Sequence, residues 1–151
     1  MSHLIRRNAA MSFQVSCFDE QIIIARLSNP FDDVNSELLH LTECVAELML
    51  QIPAAPVYRI LDLSELTLSF GEMVFAVAVE TRGTPGSLSD LTVNHVVVTT
   101  DREIKEAIKA LEYPRITITE TMPQALDIIN ADRASKPRVE NMQQQANSSP
   151  P

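Results

Sequence analysis

Asp62, Ser64, Glu65 and Thr67 crowd together directly after the apolar run that begins at Val57. Such a run reads as a buried strand, and in open α/β sheets ligands gather where the strands end. Two carboxylates at that place could divide acid–base work if their surroundings pushed their pKa values apart. The alternative is that Asp62 is a solvated turn carboxylate. A little further on, Ser69-Phe70-Gly71-Glu72 has the Ser-x-x-Glu form of a helix-capping box. A phosphate on Ser69 would sit at a helix N-terminus, where free N–H groups favour negative charge, and would be repelled by Glu72 and Glu65. The third stretch is Arg82-Gly83-Thr84-Pro85-Gly86-Ser87. Its two glycines and hydroxyls could form an anion nest, with Arg82 as the counter-charge. It lacks the Lys-Ser/Thr of a phosphate-binding P-loop and follows a helix rather than a strand, and Pro85-Gly86 is an ordinary turn dipeptide.

The remaining reactive side chains do not combine. His3, His40 and His95 have no metal-ligand spacing; His40 falls on the polar side of a helix, and His95 is expected to point outward from a valine-rich strand. Cys17 and Cys44 fit neither a CxxC pair nor a zinc set and read as small core hydrophobes. Two thiols and no secretory leader imply reduced side chains in the cytoplasm. No catalytic set, metal or cofactor is expected.

The elements that must position these residues are legible. Phe13, Val15 and Cys17 alternate with polar residues, and Ile22 to Leu27 is rich in β-branched residues; together they predict a hairpin. Asn29-Pro30 breaks it, Asp32 or Asp33 caps a helix, and Leu38, Leu41, Val45 and Leu48 recur at helical spacing up to about Ile52. Val57 to Leu63 is a central strand. The helix that Ser69 opens is apolar nearly all round from Met73 to Val79, which predicts burial or a partner on one face. A loop from Thr81 to Asp90 leads to the strand Leu91 to Thr99. Asp101 caps a helix that Pro114 ends, Ile116 to Thr119 is the last strand, and Thr121 opens a final helix with Pro123 in its first turn. The order β-β-α-β-α-β-α-β-α calls for an α/β fold with a mixed sheet of about five strands. Residues 1–10 read as a flexible arm, 11–135 as one domain, and 136–151 as a disordered polar tail.

The chain has 151 residues, of which 45% are apolar, and carries 12 Lys and Arg against 20 Asp and Glu, a net charge of −8. That composition excludes a disordered or collagen-like chain. Its charge would repel nucleic acid and anionic membranes, so no nucleic-acid partner is expected. No apolar run approaches the roughly 18 residues that membrane insertion requires.

Three stretches together resemble the anti-sigma-factor antagonist, or STAS, fold and its SpoIIAA-like bacterial relatives. Ile60-Leu61-Asp62-Leu63-Ser64-Glu65-Leu66 looks like the family's central strand ending in Asp-Leu-Ser. Ser69-Phe70-Gly71 sits where the family has its switch loop. Ile116 to Leu126 looks like its closing strand and helix. Regulatory members carry a phosphorylated Ser or Thr directly before the glycine; here that place holds Phe70, and Ser69 stands one position early. The resemblance implies a STAS-like sheet and a non-enzymatic regulatory module with a protein partner. Ser69, Phe70, Asp62 and Ser64 are then the interaction or switch candidates, and Arg82, Gly83, Gly86 and Ser87 a candidate ligand loop. The alternative is a carrier of an apolar ligand or nucleotide, with its pocket between the Met73–Val79 helix and the sheet and the Thr84–Asp90 loop as its gate. An exposed edge strand at Phe13 to Phe18 could pair two copies in a homodimer.

Overall fold

The computed structural model describes residues 3–6, 13–29, 33–136 and 139–140. Its first strand, β1 (His3–Arg6), pairs antiparallel with β2 (Phe13–Cys17), which forms the expected hairpin with β3 (Ile22–Leu27). Asp19 closes that turn, its Oδ1 accepting the N–H of Gln21 at 2.8 Å and of Ile22 at 3.0 Å. The chain continues through α1 (Val34–Met49), β4 (Ala54–Ala55), β5 (Val57–Asp62), α2 (Phe70–Glu80), β6 (Val93–Val98), α3 (Arg102–Ala110), β7 (Ile116–Thr119), α4 (Met122–Ser135) and β8 (Val139–Glu140). β3, β5, β6 and β7 run parallel, so the main sheet is mixed, in the order β1-β2-β3-β5-β6-β7. β4 and β8 form a separate two-stranded ribbon.

The molecule is thus α/β, and from β2 to α4 the element order is the one read from the sequence except for the two-residue strand β4, which the sequence reading did not include. Four helices start on the residues that the chemistry of caps requires: Asp33, Ser69, Asp101 and Thr121 each accept a backbone N–H of the first turn. Ser69 and Thr121 form complete capping boxes with Glu72 and Gln124.

Alternation along the strands divides the core in two. On one face Val15, Ile23, Ala25, Leu61 and Val97 meet Leu41, Val45 and Leu48 of α1 and Ile104 of α3, with α2 between them. On the other face Ile22, Tyr58, Ile60, Val96 and Val98 meet Ala125 and Ile129 of α4. Tyr58 Oη donates to Asp132 Oδ2 at 2.5 Å, and Arg133 Nη1 to Asp19 Oδ2 at 2.8 Å, so α4 is tied to the sheet at two points.

Two terminal segments and one strand edge differ from expectation. Residues 3–6, expected in a flexible arm, form β1, while 1–2 and 7–12 lie outside the described residues. β1 covers the outer edge of β2, whose free N–H and C=O groups would otherwise stay unpaired. The edge on which the homodimer expectation rested is therefore occupied by the chain itself. Residues 139–140, expected in the polar tail, pair as β8 with β4; 137–138 and 141–151 lie outside the described residues. No helix among the described residues is long and apolar enough to cross a membrane.

Candidate functional site

The parallel strands place the sequence-predicted residues at two opposite ends of the molecule. Asp62, Ser64, Ser69 and Phe70 follow the C-terminal end of β5. Since α2 runs back along the sheet, Arg82, Gly83, Gly86 and Ser87 lie beyond its far end, before β6 begins. The two groups do not form one site.

At the first end Asp62 is 1% exposed, not a solvated turn carboxylate. The parallel register sets it beside Arg26, whose Nε donates to Asp62 Oδ2 at 2.9 Å and whose Nη2 stands 2.9 Å from the same oxygen. Its Oδ1 accepts from Ser64 N at 3.1 Å and from Ser64 Oγ at 2.7 Å. With three hydrogen bonds and the guanidinium charge on its two oxygens, Asp62 holds the strand end and the turn in place. Asn29 fastens the same loop from the other side: its Oδ1 accepts from Thr67 N at 2.6 Å, and its Nδ2 donates to Thr67 O at 3.0 Å. The start of α2 is thereby fixed before the helix begins.

That helix exposes several large apolar side chains. Ser69 Oγ accepts from Glu72 N at 3.2 Å, and Glu72 Oε1 accepts from Ser69 N at 2.8 Å, a pairing worth about 1 kcal/mol. Met73, Ala76, Val79 and Glu80 turn toward the protein. Phe70 is 83%, Val74 51% and Phe75 56% exposed, and Gly71 and Ala78 are exposed beside them. At 3.6 residues per turn these five positions make one stripe. It carries no charged or polar side chain.

At the other end the loop amides that could have gripped an anion are already taken. Gly83 N donates to Ser89 Oγ at 2.9 Å and Gly86 N to Asp90 Oδ2 at 2.8 Å, so the loop's own carboxylate occupies the nest. Burial pushes the Asp90 carboxyl up, but hydrogen bonds from Thr92 and Gly86 outweigh it and hold the group below its ordinary range. Ser87 is fully buried, its Oγ donating to Thr84 O at 2.8 Å. Gly86 has φ +82°, and a Cβ there would meet Val45 Cγ1 at 2.5 Å, so only glycine lets the loop lie against α1.

Beneath this loop lies a charged cluster that the sequence reading missed. Arg59, on the central strand β5, is fully buried and donates from Nη2 to Glu80 Oε1 at 2.9 Å. The same oxygen accepts Leu88 N at 3.2 Å, which ties the loop to the pair. His95 stands beside Arg59 in the register of β5 and β6 and is 1% exposed, so it does not point outward as expected. Its Nε2 lies 3.2 Å from Asp90 O. A carbonyl only accepts, so Nε2 carries a proton. Burial and the Arg59 guanidinium lower the ring's pKa to about 3, which keeps it neutral near pH 7. The Nε and Nη1 of Arg59, Glu80 Oε2 and His95 Nδ1 are buried without a hydrogen-bond partner among the described residues. A strand with both faces covered should have raised the question of Arg59's counter-charge, since buried arginines are paired.

Two recesses border these elements. Between α2, α3 and the sheet is an apolar one of about 50 Å³, lined by Leu68, Met73, Val77, Ala107 and Leu111 among others. It lies where a carrier pocket was expected and is several-fold smaller than the roughly 300 Å³ at which small-molecule pockets begin. A polar cleft of about 270 Å³ opens beside α4, bordered by Tyr58, Arg115, Asp132 and Lys136. Among the described residues no group of three or more His, Cys, Asp or Glu could hold a metal ion. No protein-family model and no curated protein matches the chain.

Proposed function

We propose that this chain is a non-enzymatic, regulatory protein-interaction module of STAS-like type that docks a partner on the outer face of α2. The observation that carries this reading is the stripe Phe70, Val74, Phe75 and Ala78, exposed and free of charge. Monomeric proteins rarely leave large side chains contiguous in water, and such patches mark interaction sites. Two further features support it. The helix is rigidly presented, because Asp62, Ser64, Asn29 and the capping box fix its first turn. The apolar recess beneath it is too small for a ligand of ordinary size. On this reading Ser69 is the cap that sets the helix, and Phe70 is the residue that meets the partner. The cytoplasm is its place of action.

Phe70→Asp and Val74→Asp test this directly. Both side chains are more than half exposed, so each change should alter stability by no more than about 0.5 kcal/mol. Recovery of the partner from cells that make the chain should fall at least about tenfold, while far-ultraviolet circular dichroism and the melting temperature stay as in the wild type. Undiminished recovery of the same partner by both variants would remove the outer face of α2 from the function.

A further inference from the structure

Arg59, Glu80 and His95 adjoin one another inside the molecule, and together they make fewer hydrogen bonds than their groups allow. All three are buried: Arg59 is 0%, His95 1% and Glu80 5% exposed. Arginine and glutamate pair most strongly fork on fork, with two nitrogens on two oxygens. Here a single bond is made, from Arg59 Nη2 to Glu80 Oε1 at 2.9 Å, and Leu88 N shares that oxygen at 3.2 Å. Nε and Nη1 of Arg59 and Oε2 of Glu80 stay buried without a partner among the described residues. His95 is the cross-strand neighbour of Arg59 in the β5–β6 register. Its Nε2 donates to the Asp90 carbonyl, so Nδ1 of the neutral ring is an acceptor, and it too is buried and unpartnered among the described residues.

The two charges here are of opposite sign, so the unmet groups do not select an ion. An anion would meet the Glu80 carboxylate and the His95 lone pair, and a cation would meet the Arg59 guanidinium. The set instead matches a small neutral molecule that accepts from a guanidinium and donates to an oxygen and a ring nitrogen at once. Water does this, and buried waters in proteins make about three hydrogen bonds to polar groups of this kind. Buried donors and acceptors left unmet would be costly, and a bridging water satisfies them almost as well as a direct bond. Nε and Nη1 point to different sides of the planar guanidinium, so one water serves one of them.

We infer that the Arg59–Glu80–His95 cluster is a binding site for internal water, in which at least one molecule accepts from Arg59 Nη1 or Nε and donates to Glu80 Oε2 and His95 Nδ1. The water joins β5, α2 and β6 at a point where their side chains do not bond directly. The guanidinium is its donor, so the water is lost with Arg59. Leu88 N and Asp90 O fasten the loop above to Glu80 and His95, so the water exchanges with bulk solvent only when that loop opens. The site does not depend on the docking face of α2.

A high-resolution crystal structure of the full chain tests this without any substitution. A solvent peak should stand about 2.7–3.2 Å from Arg59 Nη1 or Nε, and equally close to Glu80 Oε2 and His95 Nδ1. In solution, deuteron relaxation dispersion of the solvent should register a long-lived water that Arg59→Met combined with Glu80→Gln loses. That double variant removes both charges together, so it leaves no unpaired ion in the core and is expected to fold. Arg59 closing directly on Glu80 Oε2 or His95 Nδ1, with no density between them, overturns the inference. A halide at the peak, recognised by its anomalous signal, overturns it too, because the carboxylate oxygen and the ring nitrogen would then not be accepting there. Equal dispersion amplitudes in the wild type and the double variant also count against it, since the long-lived water would then be held by other groups.

Discussion

Arg59→Ala should unfold much of the protein's stability margin, with an expected loss of about 3–5 kcal/mol. The guanidinium is fully buried on the central strand and is the described counter-charge of Glu80, itself 5% exposed. Removing it leaves a carboxylate in the core with the Leu88 amide as its remaining donor. A domain of this size is stable by about 5–15 kcal/mol in all, so the loss is a large share of the total. The converse change, Glu80→Ala, strands the guanidinium and also the Leu88 N–H. The two residues should therefore be strongly coupled. Arg59→Met combined with Glu80→Gln removes both charges and keeps an acceptor for Leu88, and it should lie closer to the wild type than either single alanine variant. Urea unfolding followed by circular dichroism measures this; the chain contains no tryptophan for fluorescence. A loss below about 1 kcal/mol in Arg59→Ala would mean that the pair is solvated.

The second large effect is on pH dependence. His95 is neutral in the fold, with its pKa lowered to about 3 by burial and by Arg59, whereas an unfolded histidine titrates near 6.5. Between those values the unfolded chain binds a proton that the folded chain refuses. Stability from this group is therefore complete above about pH 6.5 and is lost progressively as the pH falls toward 3. Over the two units down to pH 4.5 the loss amounts to roughly 2–3 kcal/mol. The groups that face the ring are Arg59 on β5 and Asp90 in the loop; the Asp90 carboxylate and carbonyl favour the charged form but are outweighed. In His95→Gln, which can keep a donor toward Asp90 O, the acid slope of stability should be shallower by that amount over the same range. Superimposable pH profiles of the two proteins would contradict the neutral, buried assignment.

What the sequence disclosed, and what it withheld, follows from the range of the forces involved. The hairpin, the caps at Asp33, Ser69, Asp101 and Thr121, and the alternation of strands and helices are local, and each could be read from neighbouring residues. Arg59 and Glu80, separated by an entire crossover, meet only because β5 and α2 pack together, and no spacing rule connects them. Arg26 and Asp62 needed the parallel register of β3 and β5. Asp62 and Glu65 suggested paired acids, yet the fold binds one into a turn and leaves the other exposed. The loop glycines suggested an anion nest, and it was Asp90, from the same loop, that filled it. The apolar circumference of α2 was visible from the start. Which half of it faces water depends on where α1 and α3 lie, and that is a property of the whole fold.

The central claim is that a partner covers the outer face of α2, and a photo-crosslinking residue in place of Val74 tests it most directly. The control carries the same residue in place of Asp127, exposed on α4 across the sheet. Irradiated in cells that make the chain, the variant at 74 should give one predominant protein adduct, absent at 127 and lost when Phe70→Asp is added. Identical adducts from both positions, or none from 74, would contradict the account.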